Sequence, residues 1–171
     1  MKRTINSYYK DNLVLRLLNE DDLGITLLWR NYEAHRRWFV STEIISTKTH
    51  FDWFYRYSQS DEDFIFIICN QHGTRYGQLS IYEIDWMNKC AIFGRFLVNP
   101  DFAGLGIMKK ACRVALLLSS EVLKLNKLTL EVKTNNKNAI HIYQSNGFSL
   151  SGFAENEIQI MQIALPPNDV K

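Results

Sequence analysis

The sequence predicts an α/β domain in which a strand meander is followed by one βαβ crossover. Three observations predict it. Apolar stretches at 64–69, 76–84 and 90–98 follow one another with only turns between them. Helical stripes at 107–122 and 136–145 then alternate with a strand at 128–133. The chain has 171 residues, 46% apolar and 22% charged, which suits one domain spanning 1–171 with a core of about 13–165.

Leu13–Leu17 alternates as a short strand. Asn19 is the expected N-cap of a first helix, with Glu20, Asp21 and Asp22 placing negative charge on its opening turn. Leu23, Leu27 and Arg30 share its face. Ser46 is expected to cap a second helix through Tyr57, with His50, Trp53, Phe54 and Tyr57 on one face. Phe64–Cys69 is a continuous apolar strand, and Gln71–Thr74 is a hairpin-type turn. Strands 76–84 and 90–98 follow, the second stopped at Pro100 because proline cannot donate to a ladder. A long helix runs from Gly104 to about Leu123 with Ile107, Ala111, Val114, Ala115, Leu118 and Val122 as its stripe. Strand 128–133, helix 136–145 and a closing hairpin of 148–153 with 157–165 complete the order β-α-α-β-β-β-α-β-α-β-β. Pro166 and Pro167 begin a frayed tail.

Composition excludes several classes. A net charge of +2 sets up no global field for nucleic acid or membrane. Residues 103–145 nevertheless hold seven Lys/Arg against Glu121 and Glu131, which suits a small polyanionic ligand as well as a solvated helix face. Cys69, Cys90 and Cys112 are odd in number and widely spaced, so neither a disulfide framework nor a zinc site is expected. No metal is expected anywhere. With no signal-peptide pattern and no run of ~18 apolar residues, the expected location is the cytoplasm.

The most informative segment runs from Phe96 to Lys110. A strand ends, Gly104 and Gly106 follow, and a helix opens with Lys109, Lys110 and Arg113 in its first turns. Glycines permit close backbone approach, and a helix N-terminus offers unpaired N–H groups and partial positive charge. The pattern is neither a Walker loop nor the dinucleotide fingerprint, because no Gly-Lys-Ser/Thr follows and Lys109 stands at the third glycine position. A plain tight turn is the alternative.

A second segment, Leu130 to Phe148, carries Asn136, Ala139, Tyr143, Gly147 and Phe148. Together the two segments resemble the GCN5-related N-acetyltransferases (GNAT). Their pattern is a glycine loop on a helix, then a strand, an Asn-x-x-Ala-x-x-x-Tyr helix and Gly-Phe. The chain departs at Ala103, where the family usually has Arg or Gln, and at Met108, where it has Gly or Ala. Met at that position resembles the ribosomal-protein N-terminal acetyltransferase branch.

The resemblance implies a central, mostly antiparallel twisted sheet flanked by about four helices, with acetyl-CoA as co-substrate. It implies cofactor contacts from Leu97, Val98, Ala103, Gly104, Leu105, Gly106, Ile107, Met108, Lys109, Asn136, Asn138 and Tyr143. A backbone N–H near Leu97–Val98 would face the thioester oxygen, and Tyr143 would serve the leaving thiolate. Asn136 or Asn138 could equally cap the helix, and Tyr143 could be a core aromatic. No Glu stands on the strand before the loop, so His50, Glu83, Asp85 and His35 are the candidates for a base.

The segments Trp29-Arg30-Asn31 and Ile45-Ser46-Thr47-Lys48-Thr49-His50-Phe51-Asp52-Trp53 resemble the amino-sugar N-acetyltransferases of the pseudaminic-acid pathway. That likeness implies a nucleotide-linked amino-deoxy sugar as acceptor, held by Arg30, His50, Glu83 and Trp53, with Arg36 or Arg37 assisting and His50 either hydrogen-bonding the sugar or taking the amine proton. The alternatives are a protein or peptide N-terminus as acceptor, and a non-catalytic CoA-binding protein. A monomer or homodimer is expected, with acetyl-CoA and a small-molecule amine as partners and neither nucleic acid nor membrane.

Overall fold

The computed structural model describes residues 2–39 and 41–166. The expected tail from Pro167 onward lies outside them. Eight strands form one sheet: β1 (Tyr8–Lys10), β2 (Leu13–Leu17), β3 (Asp63–Cys69), β4 (Arg75–Asp85), β5 (Cys90–Val98), β6 (Lys127–Lys133), β7 (Ser149–Ala154) and β8 (Ile158–Ala164). Their spatial order is β1-β2-β3-β4-β5-β6-β8-β7, and every pairing is antiparallel except β5 with β6. The helices are α1 (Leu23–Asn31), α2 (Glu33–Arg36), α3 (Thr47–Gln59), α4 (Ile107–Glu121) and α5 (Lys137–Ser145).

The sheet is covered on both faces, and β3 shows why its sequence is apolar throughout. Phe64, Phe66 and Ile68 pack with Leu79, Phe93 and the buried residues Ala111, Val114 and Leu118 of α4. Ile65, Ile67 and Cys69 point the other way, against Leu23 and Trp29 of α1 and Tyr57 of α3. A strand buried on both faces has no polar alternation.

Most expected elements stand within a residue or two of their predicted bounds. The Ser46 cap forms, its Oγ accepting from the Thr49 N–H at 3.1 Å. Two elements were not foreseen, β1 and the single turn α2. The first helix also begins differently. Glu20–Asp22 is a 3-10 turn, and α1 starts at Leu23. Asp22 is no solvated charge at a helix start. It is fully buried, with Arg16 at 2.6 Å and Arg75 at 2.8 Å on its two oxygens and the Asn19 N–H at 3.1 Å.

Two irregularities shape the centre of the sheet. On β4, Ser80 and Gln78 are two residues apart, but their partners Gly94 and Leu97 on β5 are three apart. One extra residue is therefore inserted at Gly94–Arg95, a β-bulge, and Arg95 takes the left-handed conformation at φ 51°. Beyond it the parallel neighbours separate. β5 pairs with β6 only over Cys90–Ile92 and Lys127–Thr129, so Phe93–Val98 has no ladder on that side. No helix among the described residues is long and apolar enough to cross a membrane.

Candidate active site

The open side of β5 forms one wall of a cleft whose other wall is β6. Backbone groups on that edge lack a strand partner and can hydrogen-bond an extended ligand. The opposite edge of β5 is closely fitted to β4. Gly77 faces Val98, and a side chain there would run into the Leu97 carbonyl.

At the end of β5 the chain turns through Pro100–Phe102 into the glycine loop. Gly104 and Gly106 adopt φ 79° and 72°, which suit glycine, and nothing lies within 4 Å of where their Cβ atoms would be. Among the described residues, the N–H groups of Gly104, Leu105, Gly106, Ile107, Met108 and Lys109 donate to no protein acceptor. Six open donors at a helix N-terminus make an anion cradle. Lys109 and Lys110 are exposed beside it. Arg113 does not add a free charge, because it is paired with Asp11 at 2.6 Å.

Tyr143 lies on α5 against β5, its ring 5.8 Å from both Phe96 and Phe148. It is 7% exposed. Burial, with Cys112 and Tyr82 as neighbours, pushes its phenol well above the ordinary tyrosine value. The hydroxyl is therefore a proton-bearing donor at any working pH. Asn136 caps α5, its Oδ1 accepting from the Ala139 N–H at 3.3 Å, while Asn138 is exposed on the first turn. Asn146 ties α5 to α4 through the Lys109 carbonyl at 3.2 Å.

A cavity of about 380 Å³ opens on the other face of the sheet, between α1, α3 and the β4–β5 pair. Leu97 and Gln78 form its floor with Ile65 and Arg95, and Phe39, Trp53, Ile45, His50, Thr26, Thr49, Arg30 and Arg56 form its walls. Leu97 thus borders the cavity on one side while its strand borders the cleft on the other. Three guanidinium groups and no carboxylate line the cavity among the described residues.

His50 is 7% exposed and stacks on Trp53 at 5.1 Å. Its Nε2 is 3.1 Å from Thr26 Oγ1. The threonine hydroxyl donates to the Asp22 carbonyl at 3.0 Å, so its oxygen accepts from the histidine and the bond ties α3 to α1. Burial lowers the imidazole pKa, opposed in part by the Leu23 carbonyl. Arg30 donates to the Ser41 carbonyl at 3.0 Å and lies 4.0 Å above the Phe39 ring. Its Nη1 is buried without a partner. Burial and the nearby Arg36 both lower its pKa.

The structure therefore brings Arg30, His50 and Trp53 together in one cavity. It does not bring Glu83, which is exposed on β4 at φ 50° and lies outside the cavity lining, because a register shift in that stretch breaks the strand alternation. Asp85 is exposed and holds the Met87–Asn88 turn, and His35 Nδ1 sits 2.7 Å from the Trp29 carbonyl. Sequence reasoning missed Gln78, Arg56 and Arg95 as cavity residues. Arg56 was the most findable, lying one helical turn beyond Trp53 on the same helix.

Comparison with known proteins gives the family. The model of the GNAT acetyltransferase domain matches residues 12–149. A spermidine N(1)-acetyltransferase of Escherichia coli K12 is 30% identical over 149 residues, covering 85% of this chain and 77% of the relative. A spermine/spermidine N(1)-acetyltransferase of Bacillus subtilis is 30% identical over 77 residues, 45% of this chain and 51% of the relative. The crystal structure of spermidine N-acetyltransferase from Vibrio cholerae with CoA and spermine superposes with a TM-score of 0.85 at 21% identity, over 91% of this chain and 97% of that one. The chain belongs to the GNAT family and is an acetyl-CoA-dependent N-acetyltransferase.

Proposed function

We propose that this enzyme acetylates a primary amine carried by an anionic small molecule, a nucleotide-linked amino-deoxy sugar. The observation that carries the proposal is the charge of the cavity above Leu97, which has Arg30, Arg56 and Arg95 in its lining and no carboxylate among the described residues. Guanidinium forks pair with phosphates, and the Phe39 and Trp53 rings suit a base or sugar face. A polyamine, the substrate in the relatives' names, would meet Arg30 and Arg56 there, and an Arg95 that Asp63 neutralises in part. Two like unit charges 4 Å apart repel by about 4 kcal/mol at an effective dielectric constant of about 20.

Acetyl-CoA supplies an activated thioester, and the chain's residues position and polarise it. The N–H groups from Gly104 to Lys109, following Ala103, cradle its pyrophosphate. The free edge of β5 accepts the pantetheine arm as an added strand, and an N–H at Leu97 or Val98 donates to the thioester oxygen as charge develops. Asn136 sets the start of α5, and Asn138 on its first turn faces the cofactor. The acceptor amine enters from the cavity side of Leu97. Tyr143 donates a hydrogen bond to the departing sulfur.

Replacing Arg30 tests the acceptor assignment. Arg30→Ala is expected to raise the KM for UDP-glucosamine about tenfold or more, leave the acetyl-CoA KM unchanged and flatten the salt dependence of acceptor binding. Equal loss for both substrates would mean that Arg30 only supports the fold. Efficient acetylation of a peptide N-terminus, with no turnover of the sugar nucleotide, would move the assignment to a peptide acceptor.

A further inference from the structure

The reaction needs a neutral amine, yet no carboxylate lines the cavity among the described residues and His50 already engages Thr26. The bulge in β5 offers another route. The inserted residue puts Phe93 and Phe96 on the α4–α5 face and Arg95 and Leu97 on the cavity face. Arg95 is held there in a backbone conformation unfavourable for any non-glycine residue, by about 1–2 kcal/mol. Its guanidinium is fixed 3.7 Å above the Tyr82 ring and 2.8 Å from Asp63 Oδ2. Strain at a bulge, with the side chain clamped from two sides, fixes a cation two residues from Leu97 on the same face.

On the acceptor assignment given above, we propose that Arg95 keeps the acceptor amine in its neutral, nucleophilic form and so selects weakly basic amines over strongly basic ones. A fixed cation disfavours a second cation beside it. An alkyl ammonium with an ordinary pKa of ~10.4 keeps most of its proton at neutral pH, whereas an amine flanked by electron-withdrawing oxygens gives it up. The amine loses its proton to solvent on entering. Its lone pair then forms the C–N bond, the C–S bond breaks, and the remaining surplus proton passes to solvent or to the departing thiolate. No dedicated base is required.

The charges around Arg95 set the size of the effect. Arg30 on α1 and Arg56 on α3 are taken up by the acceptor's phosphates on this assignment, and burial disfavours the charged form of His50, so Arg95 is the cation left to face the amine. Asp63 on β3 opposes Arg95, and Lys2 donates to the Asp63 carbonyl from behind. Glu83 and Glu131 act on the Tyr82 phenol beneath the guanidinium. Partial neutralisation by Asp63 leaves an expected shift of about one pH unit.

The test is the pH dependence of kcat at saturating acceptor, which reports groups in the bound complex, with UDP-glucosamine, a tripeptide amide and spermidine as probe acceptors. Arg95→Gln is expected to move the acid limb up by about one pH unit, Arg95→Lys to leave it in place, and Asp63→Asn to move it down. A limb unmoved in Arg95→Gln, or moved equally by Gln and Lys, would overturn the proposal and leave a structural role. A second measurement does not depend on the acceptor. An amine introduced by Gln78→Lys, or by Thr49→Lys should the first variant fail to fold, is titrated by NMR with and without Arg95→Gln. It should titrate about one unit higher without the guanidinium, and an unchanged value would overturn the proposal. If none of the three probes is turned over, the acceptor assignment falls while the titration still decides the role of Arg95.

Discussion

Gly106 sits at the entrance of α4 with φ 72° and open space around the position of a Cβ. Gly106→Ala therefore meets no protein atom, and its cost to the fold is backbone strain alone, about 1–2 kcal/mol. For a chain of this size that lowers Tm by about 2–8 °C. The effect on the ligand should be larger in proportion. The methyl group would occupy the space over the N–H cradle and push a phosphate from one or two donors. Hydrogen bonds to charged groups are worth about 1.5–3 kcal/mol each, so acetyl-CoA affinity should fall at least tenfold. Thermal unfolding and calorimetric titration of the same sample separate the two effects. Wild-type affinity in a folded Gly106→Ala protein would refute the placement of the pyrophosphate. The contrast is Gly77→Ala, where the new methyl meets the Leu97 carbonyl within a paired strand, so stability should fall as well as binding.

Other outcomes follow from the same geometry. Tyr143→Phe should lower turnover about a hundredfold with acetyl-CoA affinity unchanged, because its hydrogen bond matters as sulfur gains charge; saturating kinetics with a binding titration would show it. Asp22→Ala should destabilise by about 3–5 kcal/mol in denaturant melts, since it leaves Arg16 and Arg75 without their shared buried carboxylate. Burial alone would raise the Asp22 pKa, but its hydrogen bonds hold it below the carboxylate range. Its stabilisation is thus full above pH ~4 and lost as pH falls through the folded value. His50 has the complementary signature. With its folded pKa lowered, the unfolded chain binds the proton first, so stability should decline as pH falls below ~6.5, and His50→Asn should flatten that slope in Tm measurements.

What was legible in the sequence is what local order can encode. Glycines at 104 and 106 ahead of a helical stripe, and Asn136, Ala139 and Tyr143 at helical spacing, report a loop and two helices without reference to anything distant. Residues whose roles depend on remote partners were not legible. Asp22 reads as a helix-start charge until Arg75, 53 positions away, is seen on its carboxylate. Arg113 reads as a phosphate ligand until Asp11 claims it. The extra residue of the β5 bulge shows only against the register of β4, so Arg95 was passed over as a strand residue while Glu83 was favoured for its charge. β1 is three residues long, too short for any periodicity to declare it.

The charge of the cavity is read out by acceptor competition. Wild-type enzyme with saturating acetyl-CoA would be offered UDP-glucosamine and spermidine together, and both acetylated products counted. The sugar nucleotide should be acetylated in clear preference, and added salt should erode the preference, as guanidinium–phosphate pairing requires. Preference for spermidine, unchanged or strengthened by salt, would contradict it.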